Sequence, residues 1–312
     1  MFEIPDASPE PKQLVLNWHI AEACNYSCKY CYASWDVTEG GRDLIRDHKR
    51  TTSLLTALFE FFRPENLAHP LRSRMTWSGV RLNFAGGEPL LFSRELEAAV
   101  LTSNTIGFDV SLITNGSRLT PQLMSRLAPR LSLLGLSIDS MSMETNASIG
   151  RVDRQGRQVD LEELSEMVRL GRRLNPAMRV KLNTVVNRLN QADDLTPLIR
   201  QFAPDRWKVL RMLPVRGRQL EVSDDQFDSF VARHRQLGEI LCAEDNLDMT
   251  ESYLMIDPQG RFFQNEPATN GRGYMYSQPI LEVGVAKAFN QIAFNPQRFA
   301  ARYAGLPPVE VQ

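Results

Sequence analysis

Three of the four cysteines in this 312-residue chain fall within eight residues, as Cys24, Cys28 and Cys31 of "EACNYSCKYCYASWD". The CxxxCxxC spacing is expected to bring three thiolates to one point. A structural zinc site closes with four ligands and a cubane iron-sulfur cluster takes four cysteines, so three describe a metal centre with one position left open for a ligand. A closed zinc site, with His19 or the distant Cys242 as fourth ligand, is the competing reading. His19 lies in a strand-like alternation, where a core histidine is the plain explanation, and Cys242 sits without a partner in polar "CAEDNLD".

A second motif, "NFAGGEP", ends another strand-like run. Gly86 and Gly87 let backbone approach a ligand where a side chain would clash, and Glu88 adds an acceptor for an ammonium group. A tight turn with no ligand would use the same residues.

A third set is cationic. "KLNTVVNR" places Lys181 and Asn183 on one face of a strand, "DRWKVLR" does so with Arg206 and Lys208, and Arg81 and Asn83 repeat the spacing before the glycines. From Gly150 to Arg218 there are 15 Lys and Arg against 8 Asp and Glu, a surplus of +7 in a chain whose net charge is −1. A solvated basic face would give the same bias, but cations directed into a shared interior need an anion. A triphosphate matches Arg81, Lys181, Arg206 and Lys208, with Asn183 beside them. Charge-assisted hydrogen bonds contribute roughly 1.5–3 kcal/mol each against an association cost on the order of 4–15 kcal/mol, so several are required.

The elements that must position these residues alternate. Strands are expected at Leu14–Ala21, Val80–Phe84, Asp109–Ile113, Leu133–Ile138, Val180–Val186 and Trp207–Met212, and helices near Asp43–Phe62, Ser93–Thr102, Pro121–Leu127, Leu161–Leu174 and Leu195–Phe202. Successive βαβ units give a parallel sheet, curled by right-handed crossovers into a partial (βα)6 TIM-like barrel whose ligand residues gather at the carboxyl ends of the strands. After Arg218 come a helix at Ser223–Leu237 and two short strands in "SYLMIDPQGRFFQN" joined at Pro258–Gly260. The expected division is a tail at 1–13, the barrel at 14–218, and an extension at 219–312 packed on the barrel and closing the substrate site.

Hydrophobic residues make up 43% of the chain and charged residues 23%, ordinary for a globular protein, and no apolar run reaches the roughly 20 residues of a membrane span. The start "MFEIPDASPEPK" has neither the basic nor the apolar region of a secretory signal, and the cysteines are not evenly paired, so a reducing cytoplasm is expected.

Together, CxxxCxxC after the first strand and "NFAGGEP" after the second resemble the radical S-adenosylmethionine superfamily. The resemblance implies a 4Fe-4S cluster on Cys24, Cys28 and Cys31, with S-adenosylmethionine on the fourth iron, reductively cleaved to a 5′-deoxyadenosyl radical. It carries adenosylmethionine contacts onto Asn115 of "LITNGS", Ser137 of "LSID" and Arg151 of "ASIGR", beside Gly86, Gly87 and Glu88. Only Cys242 remains for any further cluster, which weighs against molybdenum-cofactor cyclases and peptide maturases.

"KLNTVVNR", "RWKV" and "SYLMID" narrow the likeness, from about Leu14 to Val285, to the viperin family and more closely its prokaryotic members. That implies conversion of a ribonucleoside triphosphate to its 3′-deoxy-3′,4′-didehydro form, a chain terminator, in antiviral or antiphage defence. Hydrogen abstraction from the ribose 4′ carbon, loss of the 3′ hydroxyl as water and reduction by an unidentified one-electron donor would follow, with Tyr253 as general acid; a packed strand tyrosine is the alternative for Tyr253. The chain departs from the animal members in lacking their amphipathic N-terminal helix, and in Ala85 for serine and Arg81 for lysine, which are not equivalent cations. Neither polymeric nucleic acid nor membrane is an expected partner. Base recognition is expected around Gly271, Arg272 and Gly273, and the base itself is left open. Another phosphorylated or peptide substrate, or a non-catalytic nucleotide sensor, are the alternatives.

Overall fold

Strand β5 (Arg179–Val186) buries Val180, Leu182, Thr184 and Val186, while Arg179, Lys181, Asn183 and Val185 stay partly accessible. One face of each such strand lies under helices, and the other faces a polar interior. The computed structural model describes residues 13–33, 43–214, 217–265 and 274–302.

The five companions of β5 in the first part of the chain are β1 (Gln13–His19), β2 (Gly79–Ala85), β3 (Asp109–Thr114), β4 (Leu133–Ser137) and β6 (Arg206–Arg211). All pair in parallel in that order, in register with the expected strands to within two residues at each end. Two parallel strands are additional. β7 (Leu241–Glu244) joins the free edge of β6, and β8 (Leu254–Ile256) joins the other edge, beside β1. β9 (Arg261–Asn265) and β10 (Tyr274–Pro279) follow as an antiparallel ribbon, so the sheet runs β10-β9-β8-β1-β2-β3-β4-β5-β6-β7. The extension therefore supplies strands to both edges of the barrel sheet rather than lying only on its outside.

Helices α1 (His48–Phe62), α2 (Ser93–Ile106), α3 (Pro121–Leu127), α4 (Met143–Ile149), α5 (Leu161–Leu174), α6 (Thr196–Phe202) and α7 (Asp224–Arg233) connect the strands. The expected single helix from Asp43 is broken: a 3-10 turn at Leu44–Arg46 precedes Asp47, whose carboxylate accepts from the Arg50 amide and starts α1. Helix α4 was not anticipated, because "METNASI" has a single buried residue, Ile149, and so little periodicity to read. Trp18, Phe62, Phe84, Phe202 and Trp207 are completely buried in the core between sheet and helices. The tail at 1–12 and the segment Gly271–Gly273 lie outside the described residues.

The Trp207 indole donates to Thr184 Oγ1 at 2.9 Å and meets His234 edge-on at 4.9 Å. Trp207→Ala is expected to lower the unfolding free energy by about 3–5 kcal/mol, read from urea denaturation, because the void cannot collapse between strand and helix.

Candidate active site

The cysteine loop leaves β1 and is clamped by backbone from two sides. The Gly87 amide donates to Ala21 O at 2.7 Å and the Glu88 amide to Ala23 O at 2.9 Å. A Cβ on Gly87 would lie 2.2 Å from Ala23 O, and Gly86 has φ +145° with Ala21 O only 2.6 Å from where its Cβ would stand, so both positions require glycine. On the other side, Ser27 and Lys29 donate their amides to the carbonyls of Gly150 (3.1 Å) and Ile149 (2.9 Å), satisfying groups that the end of α4 leaves open.

Glu88 is held from three sides. Its carboxylate is fully buried and accepts from the Leu90 amide (3.0 Å), Thr114 Oγ1 (2.6 Å) and the Asn115 amide (2.8 Å). It braces the glycine turn against β3, and burial raises its pKa. Asn115 reaches the loop itself, donating to Asn25 Oδ1 at 3.0 Å and approaching Cys24 Sγ at 3.9 Å. Arg151 is also committed: it pairs with Asp139 at 3.2 Å and donates to Tyr30 Oη at 3.0 Å and to the Ser137 carbonyl, while Tyr30 bonds to Asp139. This buried triad anchors the residue between Cys28 and Cys31 to the end of β4.

Cys24 is exposed, and Cys28 and Cys31 are partly so. The thiols do not close on one point: among the described residues, no three Cys, His, Asp or Glu side chains surround a single-ion position. Three thiols with one ligand position to spare, in a loop backed by glycines, are a donor set that fits an iron-sulfur cluster with one iron left open. Burial pushes the Cys24 and Cys28 thiols up to about 11 and about 12, so loading such a group releases protons. His19, buried and held near pKa 3 by desolvation, packs against Tyr32 and Phe263 as a neutral core histidine.

Two adjoining chambers lie against the inner face of the sheet. The one nearer the cysteine loop, about 170 Å³, is lined by Tyr30, Tyr32, Asn183 and Leu210 among others; the deeper, about 180 Å³, by Arg81, Ser111, Arg179, Arg206 and Arg302 among others. Asn17, Asn83, Lys181, Lys208 and Tyr253 line both. A larger cleft of about 540 Å³ beside β7 contains none of the three clustered cysteines. Ser111, Asn83 and Asn17 form a hydrogen-bonded ladder that ends on Leu254 O, crossing four strands. Opposite it, Gly135 stands where a Cβ would be 2.2 Å from Ile113 and 3.4 Å from Lys181 Cε, leaving room for the lysine stem.

The four expected cations all line the deeper chamber, yet they are not four uncompensated charges. Arg81 forks onto Asp109 at 2.9 and 3.0 Å, Lys208 pairs with Glu244 at 2.6 Å, and Arg206 donates to Cys242 Sγ and to the Arg302 carbonyl. Lys181 makes no hydrogen bond or ion pair among the described residues; burial first, then Arg206, depresses it to about 7, with Arg302 and Arg81 adding to the effect and Glu244 opposing it. Tyr253 Oη accepts from Lys208 at 2.8 Å and donates to Glu244 at 2.8 Å. Arg179, Glu244 and Arg302 were not anticipated. Arg179 shares the alternation of Lys181 and was legible; the other two become neighbours of the site only through the register of β7 and the return of the chain's end.

Residues 18–194 match the model of the radical SAM superfamily, and the chain belongs to it. Solved structures agree in fold: native anSMEcpe with bound AdoMet and the Kp18Cys peptide superposes with a TM-score of 0.61 at 14% identity over 89% of this chain and 80% of that one. Streptococcus suis SuiB bound to S-adenosylmethionine gives 0.58 at 13% identity over 94% and 68%. Within the superfamily, the chain belongs to the viperin-like family of S-adenosylmethionine-dependent nucleotide dehydratases. The proteins of that name from Psychrobacter lutiphocae and Pseudoalteromonas ulvae are each 41% identical, over 94% and 95% of this chain and 95% and 94% of theirs. The dehydratase RSAD2 of Danio rerio is 30% identical over 92% of this chain and 76% of its own.

Gly150 has φ +95° and its Cβ would lie 2.4 Å from Ser27 O. Gly150→Ala is expected to loosen the cysteine loop at a cost on the order of 1–3 kcal/mol, seen as lower iron and sulfide content per chain with unchanged far-UV circular dichroism. Polyanion binding is expected to recharge Lys181, so that above pH 7 it takes up a proton and weakens by up to about tenfold per unit until the pKa of the bound form is reached, with no slope from this group below 7. Calorimetry with inorganic tripolyphosphate in buffers of different ionisation heat reads that proton, and Lys181→Met removes it.

Proposed function

We propose that this enzyme converts a ribonucleoside triphosphate into its 3′-deoxy-3′,4′-didehydro analogue, a chain terminator that acts against phage polymerases. The observation that carries the reading is the shared wall of the two chambers: Lys181, Lys208 and Tyr253 line both, the tyrosines of the cysteine loop line one, and Arg81 and Arg206 line the other. A triphosphate laid among the cations directs its ribose back toward the loop. The relatives named nucleotide dehydratases support the substrate class.

Cys24, Cys28 and Cys31 would hold a 4Fe-4S cluster, and the strand ends at Gly86, Gly87, Asn115 and Ser137 would hold adenosylmethionine beside it. When bound, these supply the radical that removes hydrogen from the sugar. The chain's own residues bind, orient and move protons. Lys181 and Arg206 neutralise phosphate, with Arg81 and Lys208 sharing their charge with resident carboxylates. Asn183, opposite Lys208 in the sheet, borders the chamber between sugar and phosphate. Tyr253 protonates the departing hydroxyl. The interior is enclosed by strands on most sides, which suits one nucleotide and not a polymer. No described helix is long and apolar enough to cross a membrane, in keeping with a cytoplasmic enzyme served by a one-electron donor.

The test is anaerobic reconstitution with iron and sulfide, then reductant, S-adenosylmethionine and each nucleoside triphosphate in turn. 5′-Deoxyadenosine and a nucleotide one water lighter are expected only together with the preferred triphosphate, and Cys28→Ala is expected to abolish both. Adenosylmethionine cleavage indifferent to every triphosphate would sink the reading.

A further inference from the structure

Between β7 and β8 the sheet has no backbone hydrogen bonds, and side chains close the gap. Glu244, at the end of β7 and 3% exposed, is the hub. Its Oε1 accepts from Lys208 at 2.6 Å and from Arg302 Nε at 3.2 Å, and its Oε2 accepts from Tyr253 Oη at 2.8 Å. Arg302 also donates to the Ser252 carbonyl at 2.8 Å and lays its guanidinium over the Tyr253 ring, 3.3 Å from the centroid. The tyrosine thus has an ammonium at its hydroxyl, a guanidinium on its face, and one carboxylate that ties both cations in place.

The geometry points to Glu244 and Arg302 as positioning residues that make Tyr253 an effective proton donor to the leaving sugar hydroxyl. This rests on the reading of the interior as a nucleotide site. As the carbon–oxygen bond breaks, its electron pair goes to the oxygen, the Tyr253 proton turns from its hydrogen bond with Glu244 Oε2 to join it and form water, and a phenolate is left on the enzyme. The phenolate lies against the Arg302 guanidinium, which offsets the Glu244 carboxylate beside it, and it regains its proton from Lys208, which burial and Arg302 make a much stronger acid than a free lysine while Glu244 favours its charged form; solvent then recharges Lys208. The electron that completes the dehydration comes from the one-electron carrier and passes through no member of this seam. Glu244, with no contact of its own to the reacting sugar, acts by preventing Lys208 and Arg302 from swinging away from the ring. Its carboxyl, although opposed by burial, is pulled down to about 2 by Lys208 and Arg302 and stays ionised throughout the working range.

The readout is the yield of dehydrated nucleotide per 5′-deoxyadenosine formed by the reconstituted enzyme, since a poorly placed acid lets radical formation proceed without dehydration. Glu244→Gln and Arg302→Lys are each expected to lower that ratio by about tenfold, a rise of about 1.4 kcal/mol in the dehydration barrier, with Glu244→Asp falling less. Tyr253→Phe sets the lower limit. Arg302→Lys keeps the charge, so it stands as the test if Glu244→Gln does not load iron. A ratio unchanged from wild type in either iron-loaded variant, with Tyr253→Phe reduced, overturns the inference and leaves the proposed function intact. Absence of dehydrated nucleotide from the wild-type enzyme would instead overturn the proposed function.

Discussion

Burying cations inside a barrel is the constraint on which the rest of this structure depends. A TIM-like barrel ordinarily fills its interior with branched apolar side chains; here Arg81, Lys181, Arg206, Lys208 and Arg302 face inward. Each desolvated charge costs several kcal/mol unless it is paired and hydrogen-bonded. Asp109 and Glu244 meet part of that need, the Ser111–Asn83–Asn17 ladder keeps the opposite wall polar and satisfied, and Lys181 relieves it by losing its proton readily. The interior is left short of negative charge, which is the property that selects an anionic ligand.

The second organising device is backbone, not charge. The cysteine loop has little structure of its own, and its shape is borrowed from the glycine turn after β2 and from the last carbonyls of α4. Tyr30 extends the same support through Asp139 and Arg151, while the β9–β10 ribbon covers the far end, with Tyr274 Oη donating to Tyr32 O at 2.6 Å. The loop and the cationic interior are therefore two ends of one rigid assembly.

How much of this was legible depends on the range over which each signal acts. Alternation within β5 or β6 is local, so Lys181, Asn183, Arg206 and Lys208 fall on one face without knowledge of any partner strand. CxxxCxxC and GGEP are equally local. The partners of Glu88 were not legible, because its letter names an acceptor but not which way it turns; only the packing of β3 shows that Thr114 and the Asn115 amide donate to it. Arg81 and Lys208 were placed correctly and yet counted as open charges, since Asp109 and Glu244 reach them only across strand pairs. β7 and β8 are four and three residues long, too short for a periodicity to stand out, and their places at opposite edges follow from closing the barrel.

Those two strands are near neighbours in the chain and end up on opposite edges of an eight-strand parallel run, with Asp245–Tyr253 bridging the opening. β7 takes β6 as its partner and β8 takes β1, so seating this bridge depends on contacts that close large loops of the chain. A chain without this bridge seated would own its cysteine loop and most of its cations, but not Tyr253 in place. Tyr253 is thereby seated in the interior only where both edges of the parallel run are in place.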